Sequence, residues 1–174
     1  MPRGVVTDHP NSANELVRAQ YNLLVADVQS ALTGSILLSA PGLAIGTSSA
    51  AKVKHNELIY QVAGMRYKVA AGEVAFTATT HDIADPDTNP REAIYVLSVN
   101  AAGTVTITKG ADAAADAAVA PATPAGEVKL GEVKIQHNGS AIFDASTDLL
   151  SAAHLTDTYT DATPFAMTAA TVTS

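Results

Sequence analysis

The sequence contains no cysteine and no tryptophan, and only three phenylalanines and five tyrosines among 174 residues. Without cysteine there is no disulfide, no thiolate-ligated zinc, no iron–sulfur cluster and no thiol nucleophile. Charge is also scarce: Asp, Glu, Lys and Arg make up 16% of the chain, against about 25% in ordinary soluble domains. Acid outweighs base, 17 to 10, for a formal net charge of −7, which disfavours naked nucleic acid and anionic lipid as partners. The most apolar stretch, Ser35 to Gly46, is broken by Pro41 and Gly42. Nothing approaches ~20 uninterrupted apolar residues, so no membrane span is expected. The opening ten residues carry one basic residue and no apolar run behind it, so no secretory signal is expected either.

What is present is alanine, threonine, serine and glycine on a chain that is 47% apolar. The length fits one domain, with or without a docking arm, and buries roughly 70% of its unfolded surface, so a core forms without staples. A sparsely charged surface of small residues suits a protein that packs against neighbours. One segment carries strong helix signals. Ser12-Ala13-Asn14-Glu15 matches a capping box, and Val17, Tyr21, Leu24, Val28 and Leu32 recur at helical spacing before Gly34. The spacing predicts a helix over 14–33. Its stripe serves either to cover the chain's own sheet or to dock on a partner, and both uses need the same residues.

From Lys52 onward the pattern is that of strands. Leu58–Val62 and Met65–Val69 flank Ala63-Gly64, and the second run alternates apolar and basic residues. Val74 to Thr80 reads as a strand. Ile94–Val99 and Thr104–Thr108 form a hairpin about Asn100–Gly103, with Val105 and Ile107 on one face and three threonines on the other, free to be wetted or to meet a neighbour. Val128–Ile135 and Ser140–Phe143 are expected to pair across a turn containing Asn138-Gly139. The alanine-rich stretch 110–126 reads as a connector, its first half suited to a short helix and its proline-rich half extended. The predicted fold is mainly β: an antiparallel barrel or sandwich with an N-terminal helix and an extended C-terminal arm. Its organisation is expected as arm and helix over 1–34, β-rich core over 35–155, and tail over 156–174.

Signs of chemistry are few. His9, His55, His81, His137 and His154 are scattered without chelating spacing. Asp85-Pro86-Asp87-Thr88-Asn89, just after Asp82, copies the opening of a calcium loop, but Pro90 stands where glycine is needed and Val96 where the closing glutamate belongs. An acidic turn is the expected role, with Asp157 and Asp161 in the tail read the same way. No nucleophile elbow or phosphate loop is present, and Gly42-Leu43-Ala44-Ile45-Gly46 is an incomplete dinucleotide fingerprint. Neither an enzyme nor a cofactor or metal site is expected.

Three runs carry a resemblance: Leu58 through Ala71; Tyr95 through Gly110; and the Pro-Ala stretch leading into Val128–Ile135. Over roughly residues 50–150 they resemble small tailed-phage virion proteins of the capsid decoration, cement or head-fibre type. The resemblance implies packing and not a site. It implies a homo-oligomer, with a trimer preferred, bound to the phage major capsid protein on the virion surface after synthesis in the bacterial host cytoplasm. The alternatives are a tail, fibre or baseplate component, or a host-surface or carbohydrate-binding module using loops 81–92 or 136–140.

Overall fold

A computed structural model describes residues 18–25, 28, 34–47, 51–83 and 89–165. The fold is mainly β, with antiparallel sheets and one helix. Residues 18–25 and 28 are helical. Among the described residues eleven strands follow: β1 (Ile36–Leu37), β2 (Ala44–Ile45), β3 (Lys52–His55), β4 (Leu58–Val62), β5 (Met65–Val69), β6 (Gly72–Ala75), β7 (Arg91–Val99), β8 (Val105–Lys109), β9 (Ala113–Ala114), β10 (Val128–His137) and β11 (Leu155–Asp161). They form a large sheet in the order β11-β10-β7-β8, with β9 also on β7, and two small sheets, β1-β4-β5 and β2-β3-β6. No closed barrel forms among the described strands.

The β4–β5 hairpin forms where alternation and turn chemistry agree. Ala63 and Gly64 both take positive φ, 49° and 83°, as a two-residue turn between strongly twisted strands requires. Val62 then pairs Met65, and Tyr60 pairs Tyr67, with the two rings stacked 5.6 Å apart. The β7–β8 turn is fixed by the Asn100 carboxamide oxygen, which accepts from the amides of Ala102 and Thr104.

All three sheets contribute to one continuous core. Ala93, Tyr95, Leu97 and Val99 of β7 and Val133 and Ile135 of β10 meet Leu58, Tyr60 and Val53 from the small sheets. At one end Phe76, His81, Tyr95 and Phe143 pack edge to face, with Phe76 and Tyr95 centroids 5.0 Å apart. Edge-to-face contact sets the positive ring edge against the negative face of its neighbour.

Four expectations are corrected. Ser140–Phe143 does not pair with β10. Phe143 makes only an isolated bridge to Ile83, and β10 pairs β7 and β11 instead. The cause is local: the Asn138 side chain accepts from the amide and hydroxyl of Ser140, so the chain turns out at Asn138-Gly139 instead of folding straight back. The core does not stop at residue 155, because β11 runs from Leu155 to Asp161 in register with His137 to Gly131. Ala162 and Phe165 continue the contact by donating to the carbonyls of Leu130 and Leu37. The alanine run contains a strand, β9, and not a helix, because Glu92 and Arg91 of β7 offer it a ladder. The 74–80 strand lies earlier, as β6 over 72–75, where β3 supplies its partner.

Candidate interaction surface

The helix presents its apolar residues outward. Tyr21 is 64% exposed, Leu23 65%, Leu24 51% and Val28 42%. Of the stripe predicted to dock on a partner, Tyr21, Leu24 and Val28 therefore lie on the surface, while Val17 and Leu32 fall outside the described residues. None of the helix's described residues is buried, so they do not cover the chain's own sheet. Leu23 belongs to this apolar surface although it lies off the predicted stripe. Its position beside Leu24 was the only sequence signal for it.

The outer face of the large sheet, where threonines were expected to meet water or a neighbour, is partly covered by the chain itself: Thr106 and Thr108 are half-buried and Thr104 is exposed. The 110–127 segment folds back over it. Glu127 accepts from the hydroxyls of Ser98 and Thr106 at 2.5 and 3.0 Å. Glu92, only 1% exposed, accepts from the Ala118 amide at 3.0 Å and pairs with Lys134 at 2.9 Å. Burial pushes the Glu92 carboxyl up, but the Lys134 ammonium and the backbone donors outweigh it and leave it below the usual range. Lys134 also reaches Asp116 at 3.2 Å, and its own ammonium is held above its ordinary value by Glu92 first and Asp116 second. A carboxylate with a cation and two amide donors is a structural clamp.

The histidines are likewise absorbed by structure. His55 Nδ1 lies 2.8 Å from the Asn56 carbonyl. His81 is buried, with Nδ1 accepting from the Thr77 amide at 2.6 Å and Nε2 3.2 Å from the Ile107 carbonyl. His137 Nδ1 accepts from the Gly139 amide, and His154 lies 3.4 Å from Asp148. Asp82 is an anchor, not a ligand, accepting from the amides of Thr79 and Ala145. Asp85, Asp87 and His9 lie outside the described residues. No group of three His, Asp or Glu side chains among the described residues is placed to hold a metal ion. Asp161 accepts from the amides of Gly42 and Leu43 at 3.0 and 2.8 Å, which ties the end of β11 to the loop before β2. Asp157 remains half-buried on the same strand.

One cleft, about 170 Å³, is lined by Ile45, Gly46, Lys52 and Leu149 to Ser151. That is below the roughly 300–1,000 Å³ of small-molecule sites. No family model, curated protein or solved structure matches the chain. No helix among the described residues is long and apolar enough to cross a membrane. Where they are described, the 136–140 and 81–92 loops carry turn-forming contacts: Asn138 with Ser140 in the first, and Asp82 with Thr79 at the start of the second.

Proposed function

We propose that this chain is a structural subunit of a tailed-phage particle. Its first assignment is a capsid decoration or cement protein that packs on the head as a homo-oligomer, a trimer by preference, through contacts with the major capsid protein. The small sheets over the large one are read as a sandwich-like body, with the helix as its docking arm. The observation that carries this reading is the outward apolar face of the helix, Tyr21, Leu24 and Val28, on a body that has its own complete core. Isolated helices of this length are marginal in water, so the helix gains its stability from whatever it docks on. Burying one such side chain contributes about 1.5–3 kcal/mol, and closed symmetry multiplies a weak single contact into firm attachment. The sequence resemblance over residues 50–150 supplies the particle.

The test is the copy number of this chain in purified particles relative to the major shell protein, by quantitative mass spectrometry. A ratio near one, or a simple fraction set by shell symmetry, supports head decoration. A trace ratio moves the chain to tail, fibre or baseplate. Absence from particles removes the virion reading.

A further inference from the structure

Among the strands that end a sheet, β5 and β11 carry opposite charge. β5 ends the β1-β4-β5 sheet, and β11 ends the large sheet. The hydrogen-bonded pairs of a hairpin alternate with non-bonded ones. From the two-residue turn at Ala63-Gly64, the bonded pairs of β5 are those of Met65, Tyr67 and Val69, so the backbone groups of Arg66 and Lys68 point away from the sheet. On β11, Asn138 donates to the His154 carbonyl and Ala162 to the Leu130 carbonyl. The even-numbered residues therefore bond to β10, and the backbone groups of Asp157 and Tyr159 point away from the sheet, while their side chains are half-buried. No backbone group of the described residues meets them.

We infer that β5 of one copy pairs antiparallel with β11 of a second copy, Lys68 opposite Asp157 and Arg66 opposite Tyr159. Residues directly opposite in a bonded antiparallel pair share a face, so joining the free backbone groups necessarily sets these cations beside Asp157 and the Tyr159 ring. A parallel pairing would set Arg66 or Lys68 opposite Thr158 instead. The register one step along would use Asp161, whose carboxylate is already held by Gly42 and Leu43. Pairing two β5 edges centred on Tyr67 would oppose Arg66 with Lys68, and pairing two β11 edges centred on Tyr159 would oppose Asp157 with Asp161. Each edge is thus closed to its own kind and open to the other. Lys68 pairs with Glu57 at 3.0 Å, an exposed pair that exchanges partners at little cost. The contact is head-to-tail: repeated, it closes into a ring or continues as a filament. It rests on the self-association in the proposed function and is independent of which particle the chain joins.

The chain's lack of cysteine makes the register testable. In this pairing Met65 faces Thr160 in a non-bonded pair, with Cα atoms about 4.5 Å apart, within disulfide reach. Both side chains are exposed, so the variants leave the core intact. Full-length Met65→Cys and Thr160→Cys proteins, mixed under mild oxidation, should give several-fold more cross-linked dimer than either alone. They should also exceed Met65→Cys mixed with Thr156→Cys, four residues along the same face. Adding Lys68→Glu to the first protein should cut the yield several-fold, and adding Asp157→Lys to the second should restore it. A yield no greater than the controls, or one unmoved by Lys68→Glu, overturns the pairing. Failure here alongside a stoichiometric copy number in particles sinks the edge pairing alone, and the converse sinks the particle.

Discussion

Gly131 shows how a single residue sets the seam between sheets. The register of β10 against β7 shifts between Lys129 and Gly131, so a bulge brings Gly131 against β11 and the loop before β2. A Cβ there would stand 2.4 Å from the Thr160 carbonyl oxygen and 2.6 Å from Leu43 Cδ1. One of these contacts is backbone and cannot swing aside. Gly131→Ala should destabilise the fold by roughly 1–3 kcal/mol, the range for overpacking, measured by urea unfolding. Gly126 is the contrast: a Cβ there meets nothing within 4 Å, and only its φ of +78° opposes substitution. Gly126→Ala should cost about 1 kcal/mol. Equal losses at the two sites would refute the steric account.

His81 makes a second residue-scale prediction. Accepting from Thr77 at Nδ1 while lying beside the Ile107 carbonyl at Nε2 requires a neutral ring with its proton on Nε2. Burial pushes its pKa below the free value of 6.5; the Ile107 carbonyl opposes that, and the Lys109 ammonium adds to it. Below pH 6.5 the unfolded chain therefore binds this proton more readily than the folded one. The contribution of His81 to stability is complete above 6.5, declines as pH falls, and is lost on passing the folded pKa. By NMR the His81 ring should be less protonated at pH 6.5 in the folded protein than an unfolded histidine, which is half protonated there. A His81 ring titrating at or above 6.5 would rule this out.

Among the elements, the 110–127 cover is the least expected from sequence. Alanine favours helix and proline favours extension, and neither preference names a docking surface. The decisive groups are the carboxylates at its two flanks, Glu127 over Ser98 and Thr106, and Glu92 under Ala118. Ser98 is fully buried, so removing the carboxylate leaves its hydroxyl only the longer contact to the Thr106 hydroxyl at 3.2 Å. Glu127→Ala should cost roughly 1–3 kcal/mol, and Ser98→Ala in the same chain should recover part of that. A double-mutant cycle by chemical denaturation measures the coupling, and strict additivity would mean the carboxylate is not what holds the cover.

The elements that sequence did reveal share one property: local alternation and local turn chemistry pointed the same way. Residues 58–69 are the clearest case, followed by Ile94–Val99 with Val105 onward. Those that misled depended on distant partners. Asn138-Gly139 suits a hairpin, yet Asn138 spends its side chain on Ser140, and the strand that returns along β10 begins only at Leu155. Thr156 to Asp161 lacks strong apolar character, so its identity as a strand comes from the free edge of β10 and from Asp161 holding Gly42 and Leu43. For the candidate surface, the helix and three of its stripe residues were legible because amphipathic spacing is local. Which side of the stripe faces solvent was not, since that depends on whether the sheets fill their own core.

At the scale of the whole molecule, both ends of the described body meet at β1, a strand of two residues. β1 has β4 on one side, and on the other the Phe165 amide donates to the Leu37 carbonyl at 2.7 Å. The Gln61 side chain reaches the Gly34 carbonyl at 3.3 Å, just ahead of β1. The body therefore holds its own boundary at Gly34, and the described residues before it, 18–25 and 28, are not buried. Deleting residues 1–33 should shift the unfolding free energy of the body by no more than about 0.5 kcal/mol, the scale of changes to exposed positions. The same deletion should abolish attachment to the particle, read by co-sedimentation with heads lacking the protein. Triple replacement of Tyr21, Leu24 and Val28 by serine should reproduce the loss of attachment with the chain length intact. A deletion that lowers stability by several kcal/mol would make the helix part of the core, and one that leaves attachment unchanged would move the docking surface onto the sheets.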